Sequence, residues 1–229
     1  ALSRKTLVHA LAILSRLNRM ASDGSIELAS RIATLLPRAW DLDSEGATRL
    51  EQTLLSREPL VRCSLAGALD EIIHRRGAEA LPLIDKLLSD ESVDVIRIAT
   101  SSLRLTTNLD SEGFATRCAR LVHLGDSGVS RQFAQTTLRD YMIMHPEDRK
   151  GLTVQLWIEG DEVVRSRLRE LLLHMLEDYS ASLSNILTRI SQMDGDNSLE
   201  DFWRILEVRS AETAEAWRNH IEQGTDLPQ

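Results

Sequence analysis

Leucine recurs along this 229-residue chain with a nearly constant step of 34 residues. The positions are Leu35, Leu69, Leu103, Leu138, Leu172 and Leu206. A second apolar series runs out of phase with the first, with steps of 33 to 35 residues, at Leu54, Leu87, Leu121, Leu156 and Ile190. A period of this length is typical of a supersecondary unit that is copied and stacked. Two apolar series per period indicate two helices in each unit.

Acidic turn residues repeat in the same rhythm. The Gly-Asp pairs at 125–126, 160–161 and 195–196 are 35 residues apart, and Asp23, Glu58 and the Asp90-Glu91 pair continue them towards the N-terminus. Apolar residues rarely alternate along the chain, so nothing predicts a sheet. The repeating unit is therefore predicted to be a helical hairpin with an acidic turn.

The fold prediction is all-α, a single repeat domain over residues 1–229 made of about six hairpins. The hairpins are predicted over roughly 1–40, 41–76, 77–107, 108–144, 145–178 and 179–208. A C-terminal capping helix is predicted over 209–223, because this segment is polar apart from Ala214, Trp217 and Ile221. A terminal unit needs such a polar outer face.

Capping residues, proline and glycine predict where the helices begin and end. Asp43, Asp110 and Asp161 each precede a helical pattern and are predicted N-caps, and Asp126 or Ser127 is predicted to cap the helix over 128–144. Pro59 suits a first helical turn, and Gly77 marks a helix end. The second helices are predicted to be continuous, over 25–39, 59–76, 93–106, 128–144 and 162–178.

Three segments resemble the HEAT repeat. Residues 59–62 (Pro-Leu-Val-Arg), 90–97 (Asp-Glu-Ser-Val-Asp-Val-Ile-Arg) and 161–165 (Asp-Glu-Val-Val-Arg) are each followed by spaced alanine or leucine. That family's turn and second helix read as an acid, then Val-Arg, then spaced Ala and Leu. The resemblance implies a right-handed α-α superhelix (an α-solenoid) whose second helices line the concave surface, and a role in binding other proteins.

A row of arginines accompanies this pattern at Arg62, Arg97, Arg131 and Arg165. Three of them lie seven residues before the ladder leucine, about 60° from the centre of the apolar face, and Arg97 lies six before it. We expect covered side-chain stems there, with the charged head near the next turn. By resemblance to HEAT repeats, these arginines would link neighbouring turns.

A second set of positions is predicted to face solvent. Arg104 and Arg139 follow the ladder leucine by one residue, at about 140° from the apolar centre. Arg169 and Trp203 precede it by three residues, at about 100°. If these positions line the concave face, the three arginines form a basic strip that would bind an acidic protein segment. The alternative interpretation is an ordinary solvated helix face.

Charge and cysteine content limit the function classes. The net charge of −8 argues against general nucleic-acid binding, which needs a basic footprint. Two cysteines, Cys63 and Cys118, make no disulfide framework and predict small core residues in a reducing, cytoplasmic compartment. No segment is long and apolar enough to predict a membrane span.

Catalytic signatures are missing from the sequence. The six histidines have no zinc-ligand spacing, and no phosphate-binding loop or nucleophile elbow occurs. We predict no metal, no cofactor and no enzymatic activity, but a protein-protein interaction scaffold. The alternative is a nucleic-acid-binding protein similar to HEAT-like alkylpurine DNA glycosylases, with Arg139, Arg169 and Trp203 in the DNA-binding roles.

Overall fold

A computed structural model describes residues 4–144, 151–178, 180–194 and 199–223, and within these segments every regular element is a helix. The α-helices are α1 (Arg4–Asp23), α2 (Ile26–Ala33), α3 (Leu36–Leu42), α4 (Ser44–Leu55), α5 (Pro59–Gly67), α6 (Leu69–Arg76), α7 (Leu81–Leu87), α8 (Val93–Thr100), α9 (Ser111–His123), α10 (Ser127–Thr136), α11 (Leu138–Met144), α12 (Leu152–Glu159), α13 (Glu162–Asp178), α14 (Ser180–Asp194), α15 (Glu200–Arg209) and α16 (Ala211–Gln223). Two 3₁₀ helices cover Gly77–Ala80 and Leu103–Thr106. The all-α prediction is confirmed over the described residues.

The chain forms two compact units, Ala1–Arg117 and Cys118–Gln229, with α9 running across the boundary. In the first unit, α5 packs between α2 and α8, and α1 packs against α4. Equivalent helices of successive hairpins are therefore neighbours, as expected when each unit buries its apolar face on the next.

The second unit repeats this arrangement. α10 packs against α13, and α14 packs between α12 and α16. The last helix, α16, occupies the place of a further first helix, contacting both α14 and α15. Ala214 and Trp217 are buried against them, whereas Glu212 and Glu215 are exposed. A helix with one buried face and one polar face therefore lies within the segment 209–223.

The two apolar ladders supply the core. All members of the second series, and all of the first except Leu35, are buried. Leu35 is 41% exposed, and the adjacent Leu36 is fully buried in its place. The prediction of a buried Leu35 is wrong because the register of the first hairpin is shifted by one residue.

Four second helices are interrupted just before their ladder leucine, where continuous helices were predicted. Pro37 explains the first break, because its ring excludes a helical hydrogen bond to Ala33. In the third hairpin, the Thr100 hydroxyl donates to the Ile96 carbonyl at 2.8 Å. In the fourth, the Thr136 hydroxyl donates to the Gln132 carbonyl at 2.8 Å. Such hydroxyl bonds to the preceding turn bend helices.

The predicted caps are confirmed. Asp43, Asp110, Asp126 and Asp161 each accept a hydrogen bond, of 2.7 to 3.0 Å, from the backbone N–H three residues later. Gly77 ends α6 with a φ of 56°, a conformation that favours glycine. The turn at 195–196 and the predicted start of the fifth hairpin at 145 lie outside the described residues.

Candidate interaction surface at the hairpin turns

Arg57 joins the first two turns of the N-terminal unit. Its guanidinium donates to the backbone carbonyls of Ala21, Ser22 and Gly24, at 2.6 Å to Ser22 and 3.1 Å to Gly24. The carbonyls at the end of a helix have no partner within it and carry partial negative charge. Arg57 therefore caps the C-terminus of α1 from the neighbouring hairpin.

Arg62 continues this connection to the third turn. Its Nε and Nη2 donate to the two carboxylate oxygens of Asp90 at 2.7 and 2.9 Å, and Nη2 also lies 3.2 Å from Glu91. Nη1 donates to the Arg57 carbonyl at 2.5 Å. A two-pronged arginine–carboxylate pair of this kind has fixed geometry. The hydrogen bonds that Arg62 donates to Asp90 raise the pKa of Arg62 above its ordinary value.

These contacts place the N-termini of α2, α5 and α8 side by side. Arg57 reaches the turn before α2, and Arg62 reaches the turn before α8. Both guanidiniums are largely covered, and their hydrogen bonds go to fixed acceptors. The three helix starts are therefore held beside one another, and we call this border of the first unit the turn edge.

Exposed aliphatic side chains stand along the turn edge, one on each helix. Ile26 is the first residue of α2, Leu60 the second of α5 and Val93 the first of α8, and they are 39%, 62% and 42% exposed. Single exposed aliphatic residues are ordinary. Three on the first turns of helices that pack against one another, which we call the apolar row, are the kind of grouping that marks interaction sites.

The charged groups around the apolar row are mostly acidic. The turns and the first two helical turns of α2, α5 and α8 carry five exposed carboxylates, Asp23, Glu27, Glu58, Glu91 and Asp94. They carry two exposed guanidiniums, Arg31 and Arg97, which pair with Glu27 and Asp94 within their own helices. Arg57 also pairs with Glu58, and Arg62 with Asp90 and Glu91, so the side chains of the turn edge carry only a small net negative charge.

The predicted basic strip is not a uniform exposed surface. Arg104, in the first unit, is exposed but lies 3.5 Å from Asp70, and Arg139, in the second unit, is exposed. Arg169 has a side chain only 11% exposed and pairs with Glu162 and Asp201. Trp203 is 3% exposed.

The solvent-facing prediction fails for Arg169 and Trp203, whereas Gln135, at the same position in the fourth hairpin, is exposed. Ala66 and Thr100, at the same position in other hairpins, are also buried. The second helix of a hairpin contacts the first helix of the same hairpin and the helices of both neighbouring hairpins. Its buried surface is therefore wider than a single apolar face.

The four arginines of the predicted inter-repeat row have different contacts. Arg62 reaches the next turn, as described, and Arg131 pairs with Asp161 at 2.6 Å. Arg97 instead pairs with Asp94 in its own helix at 3.0 Å, because its one-residue offset turns it away from the buried face. Arg165 donates to the carbonyls of Trp157 and Ile158, at 2.9 and 3.0 Å, and so caps the helix before its own turn.

Sequence reasoning missed one buried arginine, Arg117. It donates to both carboxylate oxygens of Asp85, at 2.7 and 3.0 Å, and to Asp110 at 3.0 Å. Its hydrogen bonds to these two acids raise its pKa above the ordinary value. The sequence did contain a signal for the burial of Arg117: it lies three residues after Phe114 and one before Cys118, on the apolar face of α9.

A charge cluster around the buried Glu51 in the first unit was also missed. Glu51 is buried, with the nearest nitrogen of Arg76 at 3.6 Å and that of Lys86 at 4.0 Å. The Arg76 guanidinium lies 3.5 Å from the centre of the Trp40 ring, a cation–π contact. Burial raises the pKa of Glu51, and the two cations only partly offset this.

The described residues include no group of three or more histidine, cysteine or acidic side chains that could hold a metal ion. Cys63 and Cys118 form no disulfide with each other; Cys118 is buried as predicted, whereas Cys63 is only half-buried. Among the helices in the described segments, none combines the length and apolar character needed to cross a bilayer. Comparison of the chain with protein-family models, with curated proteins and with solved structures finds no match.

Proposed function

We propose that this chain is a non-catalytic protein-protein interaction scaffold built as a HEAT-like α-solenoid, a right-handed superhelix of about six hairpins and a cap. The 34-residue period, the acidic turns and the packing of equivalent helices against each other support this architecture. One observation carries the function: the apolar row of exposed Ile26, Leu60 and Val93 on three adjacent helix starts.

A protein is the partner class that suits this row. Aliphatic side chains gain free energy when another apolar surface covers them, about 25 cal/mol for each Å² removed from water. The side chains of the turn edge offer a duplex no net positive charge, whereas phosphate affinity comes from neutralising arginines and lysines. The surface therefore favours a protein over a duplex.

The glycosylase-like alternative loses two of its three assigned residues. Trp203 is buried and cannot stack on a base without unfolding α15, and Arg169 already pairs with Glu162 and Asp201. Only Arg139 is exposed. We therefore keep a single candidate function.

Site-specific crosslinking tests the scaffold proposal. A photoreactive amino acid placed at Leu60 or Val93 in the source cell should yield a discrete protein adduct. The matched control is Glu79, which is exposed and lies outside the turn edge. Equal adducts at Leu60 and Glu79, or none at the row, would count against the proposal. So would submicromolar binding of duplex DNA, since we expect no affinity tighter than about 10⁻⁵ M at physiological salt.

A further inference from the structure

We propose that this chain assembles head to tail, with the outer face of α16 in one copy packed on the outer face of α1 in the next copy. The inference goes beyond the proposed scaffold function, because it uses surfaces other than the apolar row. It depends on three observations: equivalent helices pack side by side along the chain, α1 and α16 each leave one side uncovered, and the two uncovered sides carry opposite charge.

The packing of α1 and α16 leaves one side of each helix open. α1 packs mainly against α4, which is the first helix of the next hairpin, and against α2 and α3 of its own hairpin. α16 packs mainly against α14 and α15, whereas α14 itself is covered by α12 on one side and by α16 on the other. The side of α1 away from α4 and the side of α16 away from α14 are therefore free stacking positions, where a further helix of the same kind fits.

The outer face of α1 carries aliphatic and basic side chains together. Val8, Leu11 and Ile13 are exposed. Arg16 and Arg19 are also exposed, and neither has an ion pair within the described part of the chain. At 100° per residue, Val8 and Leu11 lie on one flank of the two arginines and Ile13 lies on the other. A helix that covers this face removes the aliphatic side chains from water and must bring negative charge to the arginines.

The outer face of α16 supplies that negative charge. Glu212, Glu215 and Glu222 are exposed and lie within an arc of about 80°, turned away from the buried Ala214 and Trp217. Among the residues that the structure describes, none forms an ion pair with these three glutamates. The face therefore offers unpaired carboxylates to a basic partner.

The charge difference extends to the helices around both faces. Residues 4–42 include six basic and three acidic side chains, a net charge of +3, whereas residues 200–223 include three basic and six acidic ones, a net charge of −3. When Arg75 and Arg169, which pair with acids of these helices, are included, the values become +4 and −2. A helix has a positive and a negative end, so its dipole leaves the sign at its side unchanged. The two surfaces are complementary in charge.

α15 adds apolar area beside the acidic face. Ile205 and Val208 are exposed three residues apart on this helix, Val208 by 86%. When α16 stacks on α1, α15 is brought towards α2 and α3 of the next copy, in the way that α5 lies beside α2 within the first unit. Leu35 is exposed there, between α2 and α3. Aliphatic contacts then accompany the ion pairs of the interface.

A contact between two different surfaces has a predictable assembly behaviour. Each pair of copies keeps one free surface of either kind, so growth continues past the dimer. The exposed charges that join the copies are screened by salt, so the assembly should dissociate as the ionic strength rises.

Reversing the charge of one surface at a time provides the test, with sedimentation velocity of the full chain over a concentration series as the measurement. The first variant is Arg16→Glu with Arg19→Glu, on α1. The second is Glu212→Arg with Glu215→Arg, on α16. All four side chains are exposed, so both variants should fold, and circular dichroism checks this.

The matched control is Arg104→Glu with Arg139→Glu. It changes the net charge as much as the first variant does, at exposed positions outside both surfaces. We expect the wild type to form oligomers larger than a dimer as its concentration rises. Each surface variant should weaken this association at least about tenfold, and the control should leave it unchanged. The milder Arg16→Gln with Arg19→Gln repeats the test should the reversed variant fail to fold.

Mixing the two surface variants distinguishes the head-to-tail contact from a symmetric one. An equal mixture contains one intact surface of each kind, on different chains, and should form a 1:1 complex that grows no further. A chain that carries all four reversals should associate again, because both surfaces have exchanged their charge.

Three results would overturn the inference: a wild type that stays monomeric at every concentration, association that neither reversal weakens, and variants that do not combine when mixed. Loss of association in the first variant alone would indicate a symmetric contact between two α1 faces, which also excludes the head-to-tail contact. Failure of this inference leaves the scaffold proposal intact, because crosslinking at Leu60 tests the apolar row, and neither reversal changes that row.

Discussion

At the scale of single residues, a one-position offset decides whether a repeated side chain is buried or exposed. Arg62 and Arg97 are equivalent in the sequence pattern, yet Arg62 lies on the buried face and links two turns. Arg97 is exposed and pairs within its own helix. Because one residue turns a helix by about 100°, such an offset changes the whole environment.

The one-residue shift in the first hairpin, where Leu36 is buried and Leu35 is exposed, leads to a stability prediction. Leu36→Ala should lower the free energy of unfolding by about 2–5 kcal/mol, because it leaves a cavity in the core. Leu35→Ala should cost less than about 1 kcal/mol, since Leu35 is exposed. Urea denaturation of both variants measures the difference, and equal losses would contradict the register seen here.

Removal of Arg62 should be more harmful than removal of Arg131. Arg62→Ala leaves the buried Asp90 carboxylate without its partner, a change that typically costs about 3–5 kcal/mol. Arg131→Ala breaks an exposed pair with Asp161 and should cost about 1 kcal/mol or less. Thermal or urea unfolding tests this order. An Arg131→Ala loss as large as that of Arg62→Ala would contradict the assigned burial.

Glu51 should make stability depend on pH. Burial raises its pKa in the folded chain above the ordinary value of 4.5, so the folded state binds this proton more tightly than the unfolded state does. Its contribution therefore favours folding below pH 4.5 and is lost as the pH rises through the folded pKa. The unfolding free energy of the wild type minus that of Glu51→Gln should therefore decrease as the pH is raised from 4. A constant difference would contradict the raised pKa.

At the scale of helices, local side-chain chemistry accounts for where each one starts and bends. Aspartate caps begin α4, α9, α10 and α13, and hydroxyl bonds to the preceding turn accompany the breaks before Leu103 and Leu138. Both are short-range effects. The caps were predictable because each aspartate directly precedes a helical pattern. The breaks were missed because threonine is common inside helices.

The caps at two helix starts provide a matched comparison. Asp126 accepts a hydrogen bond from the Val129 N–H at 2.9 Å, so Asp126→Ala should cost about 0.5–2 kcal/mol. Ser92 precedes α8 without such a side-chain bond, so Ser92→Ala should stay within about 0.5 kcal/mol. Equilibrium denaturation gives both values. An equal loss of stability in Ser92→Ala would mean that the side-chain hydrogen bond of Asp126 does not account for the cost of Asp126→Ala.

At the scale of the whole molecule, the helices of a hairpin pack mainly against those of the hairpins next to it in sequence. α5 packs between α2 and α8, whereas α16 closes the C-terminal end against α14 and α15. In a stacked array, stability is the sum of each unit and its interfaces, so terminal elements open first.

Hydrogen exchange should reveal this difference along the chain. Backbone amides of α5 (Pro59–Gly67) should exchange more slowly than those of α16 (Ala211–Gln223), because α5 is covered on both sides. Peptide-resolved mass spectrometry of the intact chain measures both. Equal protection throughout would indicate one cooperative unit instead of a neighbour-coupled array.

The all-helical class, the aspartate caps and nearly all ladder positions could be read from the sequence. These features depend on residues close together along the chain or on a period that every unit repeats. The burial of Arg169 and Trp203, the role of Arg57 and the Glu51 cluster could not be read in this way. They arise where neighbouring hairpins cover the flanks of a helix, and contacts between side chains about 30 residues apart leave no local pattern in the sequence.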